Sequence, residues 1–303
     1  MITHIDFHIS YRCVNRCVFC SSADSIRKFK SHPLTYNRIA AVLRRKAKYF
    51  NSVNFTGGEP SLLKFLPALA RKTRKLGYKV YVGSNGAGFA DKDFCGKAAP
   101  FIDEICFSVH GHTARLHNFH TRNKNSFENL NKALDNLAQS RVRLLSNTVV
   151  TKYNFPYLKD ILRFAVSKKI KQALISNLAP EGRGLDNYRN LVVRLKDIRK
   201  KVPQLVKIAQ RERIALRFFG LPACILGNFA VHSNDFFWDA RLNIEQDKKA
   251  GRFIIKEERA YFPERARIKV EKCKACFYEK ICGGVFEEYY KIFKDGELRP
   301  VKK

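Results

Sequence analysis

Three cysteines, Cys13, Cys17 and Cys20, fall within the stretch YRCVNRCVFC, separated by three residues and then by two. Three thiolates on one short loop can hold three irons of a cubane cluster, which ordinarily takes four cysteines, so one iron stays open to another ligand. Zinc is the plainer alternative, but a structural zinc site wants four closed ligands. The nearest other candidates, His4 and His8, read as strand residues. A second set lies in the tail, where Cys273, Cys276 and Cys282 form CxxCx5C and Cys224 stands about 50 residues earlier in LPACILG. Four thiolates from two segments can close a complete cluster or a tetrahedral zinc site. Cys95 and Cys106 have no partner spacing and read as small apolar core residues.

Nine cysteines in 303 residues need a reason. The start, MITHIDFHIS, alternates like a strand and lacks a secretory pattern, and no apolar run approaches the ~18 residues of a membrane span. A cytoplasmic protein without membrane association is expected, its thiols reduced and given to metal instead of disulfides. The charge is the other outlier, since 58 Lys and Arg against 27 Asp and Glu leave +31. Basic clusters at 44–48, 71–75, 168–169 and 199–201 fall in helix-like segments. They suit an acidic partner, nucleic acid or acidic peptide, bound with salt-dependent strength, or simply a solvated lysine-rich surface.

Apolar, β-rich runs alternate with helical patterns up to about residue 200. Strands are expected at 3–9, 52–56, 78–83, 103–109, 142–150 and 171–177, with helices near 35–49, 62–76, 91–98, 126–139, 157–169 and 186–201. Six βα units imply an α/β fold, a partial (β/α)6 TIM-like barrel with its site on the loops at the carboxyl ends of the strands. After that the rhythm changes, which divides the chain into a barrel at 1–202 and a cysteine-rich subdomain at 203–303.

The first 200 residues resemble the radical S-adenosylmethionine (radical SAM) superfamily. Its CxxxCxxC loop after the first strand, with an aromatic before the last cysteine, is matched by CVNRCVFC and Phe19. Its Gly-Gly-Glu run is matched by Gly57, Gly58 and Glu59 in FTGGEP. The resemblance implies a 4Fe-4S cluster on Cys13, Cys17 and Cys20, with S-adenosylmethionine chelating the open iron and Gly57 to Glu59 meeting its methionyl amine. Close carbonyl approach and the Glu59 carboxylate would suit that cation. It further implies cofactor contacts from Ser84, Asn85, Ser108 and Asn147 at later strand ends, with the Pro and Gly turn of ISNLAPEGRG beside the adenine. The tail is similar to SPASM and twitch extensions, which implies an auxiliary 4Fe-4S cluster on Cys224, Cys273, Cys276 and Cys282. A full SPASM domain carries a further cysteine where this chain has Phe286, so the shorter one-cluster form fits better.

His110, His112, His117 and His120 crowd the segment after the fourth strand. They are either substrate-facing proton carriers, His110 first among them, or loop residues bonded to backbone. The resemblance implies an enzyme in which an external flavodoxin- or ferredoxin-type reductant supplies one electron. Cleavage of S-adenosylmethionine then yields a 5′-deoxyadenosyl radical that takes hydrogen from a substrate. The tail points to a peptide or protein substrate, and the charge to a nucleotide or RNA. A non-catalytic iron-sulfur or zinc protein that binds nucleic acid is the remaining class.

Overall fold

The computed structural model describes residues 2–261 and 266–302; positions 1, 262–265 and 303 lie outside them. Its longer strands are β1 (His4–Ser10), β2 (Ser52–Gly57), β3 (Lys79–Ser84), β4 (Glu104–Ser108), β5 (Arg143–Val149), β6 (Gln172–Ser176), β7 (Ala215–Phe219), β8 (Arg241–Lys249) and β9 (Arg252–Ala260). They form one sheet in the order β7-β6-β5-β4-β3-β2-β1-β8-β9, parallel except for β9. This is the partial barrel expected from the βα rhythm. The six expected strands all form.

Period-two alternation sorts the residues of each strand. Ile5, Phe7 and Ile9 of β1, Val53 and Phe55 of β2, Val80 and Val82 of β3, and Ile105 and Phe107 of β4 are almost wholly buried. They meet the apolar stripes of helices such as Tyr36–Lys46, which buries Ile39, Val42 and Leu43, and Ser126–Leu137, which buries Leu130, Ala133, Leu134 and Leu137. The i, i+3, i+4 spacing puts each set on one helix face. The intervening strand positions, among them Asp6, Asn54, Thr56, Ser108 and Asn147, line the cavities on the opposite face of the sheet.

The division expected after residue 202 falls inside one helix, Leu195–Arg211. Beyond it, RIALRFF supplies β7, which pairs in parallel with β6, and the tail returns to place β8 beside β1. The later residues therefore extend both ends of the barrel sheet instead of forming a body set apart. The alternation in 213–219 is that of the preceding strands, so the strand rhythm runs on past residue 202. The helices Ala23–Phe29, Ala114–Thr121, Ala223–Leu226 and Glu287–Phe293 were not anticipated, and neither was the β8-β9 hairpin.

A buried ion pair fastens the cysteine-rich tail to this frame. Arg267 donates to both carboxylate oxygens of Asp235 at 2.9 and 2.7 Å, with both side chains essentially unexposed, and Asp235 also accepts from Gly283 N. Removing one partner would strand a charge, which typically costs about 3–5 kcal/mol. Asp235→Ala should therefore lower unfolding stability by about that amount, as read by denaturant titration; a loss within the range of an exposed ion pair would contradict this role.

Candidate functional site

The loop carrying Cys13, Cys17 and Cys20 is gripped from three sides. At the end of β2, Gly58 N donates to Ser10 O at 2.6 Å and Glu59 N to Arg12 O at 2.7 Å. A Cβ on Gly57 would stand 2.2 Å from Ser10 O, and one on Gly58 2.4 Å from Arg12 O. Gly57 also has φ +131°, a conformation open essentially to glycine. The two glycines are thus required first by contact between β2 and the cysteine loop.

Glu59, on the wall of the cysteine-loop cavity, is tied to the chain around it. It is wholly buried, and its Oε1 accepts from Ser61 N, Ser61 Oγ and Ser84 Oγ, while Oε2 accepts from Asn85 N at 2.6 Å. Burial pushes its pKa up, against those hydrogen bonds. The carboxylate joins the ends of β2 and β3 at the cavity wall. Ser84 is spent on the same link, whereas Asn85 reaches back to donate to Cys13 Sγ at 3.4 Å, beside Asn15 N at the same distance.

The turn after β6 supplies the second grip. Arg183 N donates to Cys20 O and Asn187 Nδ2 to Val18 O, and a Cβ on Gly182 would lie 2.6 Å from Cys20 O. That turn, expected beside an adenine, packs on the cysteine loop. The third grip is the helix Ala114–Thr121, whose Thr121 and His120 carbonyls accept from Arg16 N and Val18 N.

This helix carries two of the crowded histidines, and the backbone-bonded reading holds for His120, whose Nδ1 pairs with Leu116 O at 2.7 Å. His110, His117 and His120 are buried, stacked or tilted against one another and against Phe19, whose ring meets His110 edge-on at 4.7 Å. His117 Nε2 pairs with Ser126 Oγ, which also accepts from Asn15 Nδ2, and His120 Nε2 pairs with Thr151 Oγ1 at 2.7 Å. Burial depresses all three, His117 to about 3 and His110 well below the usual imidazole range. They are neutral supports under the cysteine loop. Val149 N donates to His110 Nδ1, which leaves the ring proton on Nε2, so His110 can donate a hydrogen bond but holds no charge at neutral pH.

Cys13, Cys17 and Cys20, with Phe19, Gly57, Gly58, Glu59, Ser84, Asn85, Ser108, His110 and Asn147, line one cavity of about 360 Å³. Asn15, Asn54, Thr56 and Cys106 line it as well and were missed. The signal for Asn54 and Thr56 was their alternation in β2, facing away from Val53 and Phe55. Cys106, read as a core thiol, opens on the cavity; burial pushes it up to about 12 and keeps it protonated. Cys13 is raised to about 11, first by burial and then by the carboxylate and thiolate charges of Glu59 and Cys20. Among the described residues no three His, Cys, Asp or Glu side chains converge enough to hold a single metal ion. The donor set, three soft thiols on one loop with two N–H groups aimed at Cys13 Sγ, fits an iron-sulfur cluster.

Cys224, Cys273, Cys276 and Cys282 are likewise brought together around one small cavity. Backbone N–H groups point at their sulfurs: Ala223 and Gly284 at Cys282, and Val301 at Cys276. Glu297 holds the last turn in place by accepting from Arg194, Lys196 N and Tyr289 OH. Phe286 fills the position of the missing cysteine; it is fully buried, and its ring sits 3.0 Å from where a Gly220 Cβ would be.

Two outcomes are expected. Gly57→Ala should displace the cysteine loop and lower the iron bound per chain after reconstitution, as measured by metal analysis beside the wild type; unchanged iron would contradict this role. His117 binds protons less readily folded than unfolded, so stability should fall as pH drops from 6.5 toward about 3. His117→Asn should flatten that fall by about 1.4 kcal/mol per pH unit, measured by urea titration across the range; an unchanged slope would contradict it.

The chain is 28% identical over 163 residues to the S-adenosylmethionine-dependent nucleotide dehydratase of Flammeovirga pacifica, covering 51% of this chain and 56% of that one. It is 29% identical over 129 residues to the AdoMet-dependent heme synthase of Oleidesulfovibrio alaskensis, covering 43% and 33%. It thus spans about half or less of these curated relatives. Its fold is similar to Streptococcus suis SuiB bound to precursor peptide SuiA, with TM-score 0.69, 16% identity and coverage of 99% and 76%. Native anSMEcpe with bound AdoMet gives 0.67, 17%, 98% and 93%. The sequence pattern of the radical SAM superfamily matches residues 7–165, just over half of the 303, and the chain belongs to that superfamily of enzymes.

Proposed function

We propose that this enzyme cleaves S-adenosylmethionine in the cavity of Cys13, Cys17 and Cys20 and oxidises a peptide or protein side chain held in the cavity next to it. The observation that carries this reading is a shared wall. A second cavity of about 740 Å³ shares Phe19, Ser21, Asn147 and Val149 with the first and runs along β6, β7 and the β8-β9 hairpin. When bound, a 4Fe-4S cluster with S-adenosylmethionine on its open iron supplies a 5′-deoxyadenosyl radical. Cys13, Cys17 and Cys20 would hold that cluster, and Asn85 and Asn15 would bond the Cys13 sulfur. Ser108, Asn147 and His110 Nε2 offer neutral hydrogen bonds to the cofactor without adding charge. Phe19 and Val149 give the shared wall an apolar part, which helps keep water from the reacting atoms.

The lining of the larger cavity supports a peptide over a nucleotide. Phe219, Trp238 and Tyr261 provide apolar and aromatic surface, and Asn177, Asn234 and Asn243 provide amides. Three of its charged members are already engaged, Arg241 with Asp6 at 2.8 Å and Glu258 with Lys256. Arg259, opposite Leu242 on β9, lines the cavity as well and is its one charged member without an ion-pair partner among the described residues. One such cation is short of the cluster of charges that phosphates call for. The tail would hold a second, fully ligated cluster on Cys224, Cys273, Cys276 and Cys282, a fit acceptor for the electron left on an oxidised side chain. The name of the curated nucleotide dehydratase favours the nucleotide reading, which the same assay tests.

Anaerobic reconstitution should give about eight irons per chain, as two cubane clusters require, and reduction with dithionite should yield 5′-deoxyadenosine. A Cys13, Cys17 and Cys20 triple-alanine variant should make none. A peptide encoded beside the gene should raise the yield above the substrate-free level, and a mixture of ribonucleoside triphosphates should not. The reverse would transfer the assignment to a nucleotide, and zinc in place of iron would overturn both.

A further inference from the structure

Among the described residues the large sheet ends in an unpaired edge. β9 is its last strand, bonded only to β8, and Lys256, Glu257, Glu258 and Arg259 are exposed in succession, so neither face of the strand is fully covered there. The direction of its backbone groups follows from its neighbours. Gln246 N donates to the hydroxyl of Tyr11, the residue after β1, which turns Leu242, Ile244 and Gln246 away from β9 and leaves Arg241, Asn243 and Glu245 to bond it. Their partners are Ala260, Glu258 and Lys256, so Ile255, Glu257 and Arg259 aim their N–H and C=O groups outward. Phe253, the preceding member of that series, has the same sense, since its carbonyl accepts from Arg38 at 3.0 Å. Among the described residues nothing bonds to the outward backbone groups of Ile255, Glu257 and Arg259.

Two cavities flank this edge. Glu258 and Ala260 line the cavity of about 740 Å³ assigned above to the substrate. Glu257 lines another of about 800 Å³ on the helix side of the sheet, walled by Tyr49, Phe50 and Leu242. Arg259 and Tyr261 line both, so the cavities meet at the end of β9. A strand laid along β9 would send its side chains alternately to the two sides, as β9 does. Edge strands are commonly blunted by charge against such pairing. Here much of that charge is neutralised, because Lys256 holds Glu258 and Lys46 holds Glu257.

We infer that the peptide substrate binds as an extended strand hydrogen-bonded to the outer edge of β9, with alternate side chains entering the two cavities and the one to be oxidised lying in the inner cavity. Main-chain bonds give such a complex its affinity, and the cavities give it side-chain preference. This mode of binding rests on the peptide reading above and names what holds the peptide.

The test uses the reconstituted wild-type enzyme and the peptide encoded beside the gene, N-methylated at one residue at a time. Affinity is read as the peptide concentration that gives half of the rise in 5′-deoxyadenosine. It should fall about tenfold at every second residue of the paired stretch, where methylation removes an N–H and leaves a carbonyl of β9 unpaired. Glu257→Pro removes one outward N–H at a place where an edge strand accepts proline, and should weaken the unmodified peptide to a similar degree. Glu257→Ala keeps that N–H and should bind the peptide as the wild type does, with iron content unchanged in both variants. Losses at consecutive residues or at none, or an affinity unaltered in Glu257→Pro, would overturn the inference. So would a dimeric wild-type enzyme that Glu257→Pro makes monomeric, which would give the edge to a second copy. A peptide that fails to raise 5′-deoxyadenosine in the wild type would instead remove the peptide reading, and this binding mode with it.

Discussion

Everything at this site depends on the contact between the end of β2 and the start of the cysteine loop. Two backbone hydrogen bonds, from Gly58 to Ser10 and from Glu59 to Arg12, fix where Cys13 begins. They can form only because positions 57 and 58 carry no side chain, since a Cβ at either would overlap the carbonyl that its neighbour must reach. Glu59 then passes the constraint to β3 through Ser84 and Asn85, and Asn85 returns it to the Cys13 sulfur. This closed circuit of hydrogen bonds converts three strand ends into one rigid rim.

The same economy governs burial. A buried carboxylate is costly unless its lone pairs are met, and Glu59 meets four donors. Buried histidines are tolerated because they stay neutral and find hydroxyl partners, Ser126 for His117 and Thr151 for His120. Groups that look reactive in the sequence turn out to be structural, and their work is to hold the cysteines still. The cavity is also lined by quieter residues that face away from the helices, Ser108, Asn147, Asn54 and Thr56, and by the neutral ring of His110.

Much of this was legible in the sequence. The spacing of Cys13, Cys17 and Cys20, the glycine pair at the end of a strand, and the alternation of apolar and β-branched residues each specify local geometry, so the six strands and the cavity membership followed from them. The duties within the cavity did not. Whether Glu59 faces a ligand or the chain depends on Ser61, Ser84 and Asn85, two of them about 25 residues away, which spacing cannot report. The histidine helix was hidden because His117 and His120, buried on one face of Ala114–Thr121, are polar in composition. The division at 202 failed for a related reason: pairing across sheet edges joins β8 to β1 over more than 200 residues, and no local pattern records it. Among the described residues no helix is long and apolar enough to cross a membrane, in keeping with the apolar runs of the sequence.

The central claim is that the loop of Cys13, Cys17 and Cys20 holds an iron-sulfur cluster with one iron open to S-adenosylmethionine. Electron paramagnetic resonance tests it most directly on a variant whose tail cysteines, Cys224, Cys273, Cys276 and Cys282, are all replaced by serine, so that only one cluster can contribute. After reduction the spectrum should show a single 4Fe-4S signal whose g-values shift when S-adenosylmethionine is added. A signal indifferent to S-adenosylmethionine, or no cluster in that loop at all, would contradict the account.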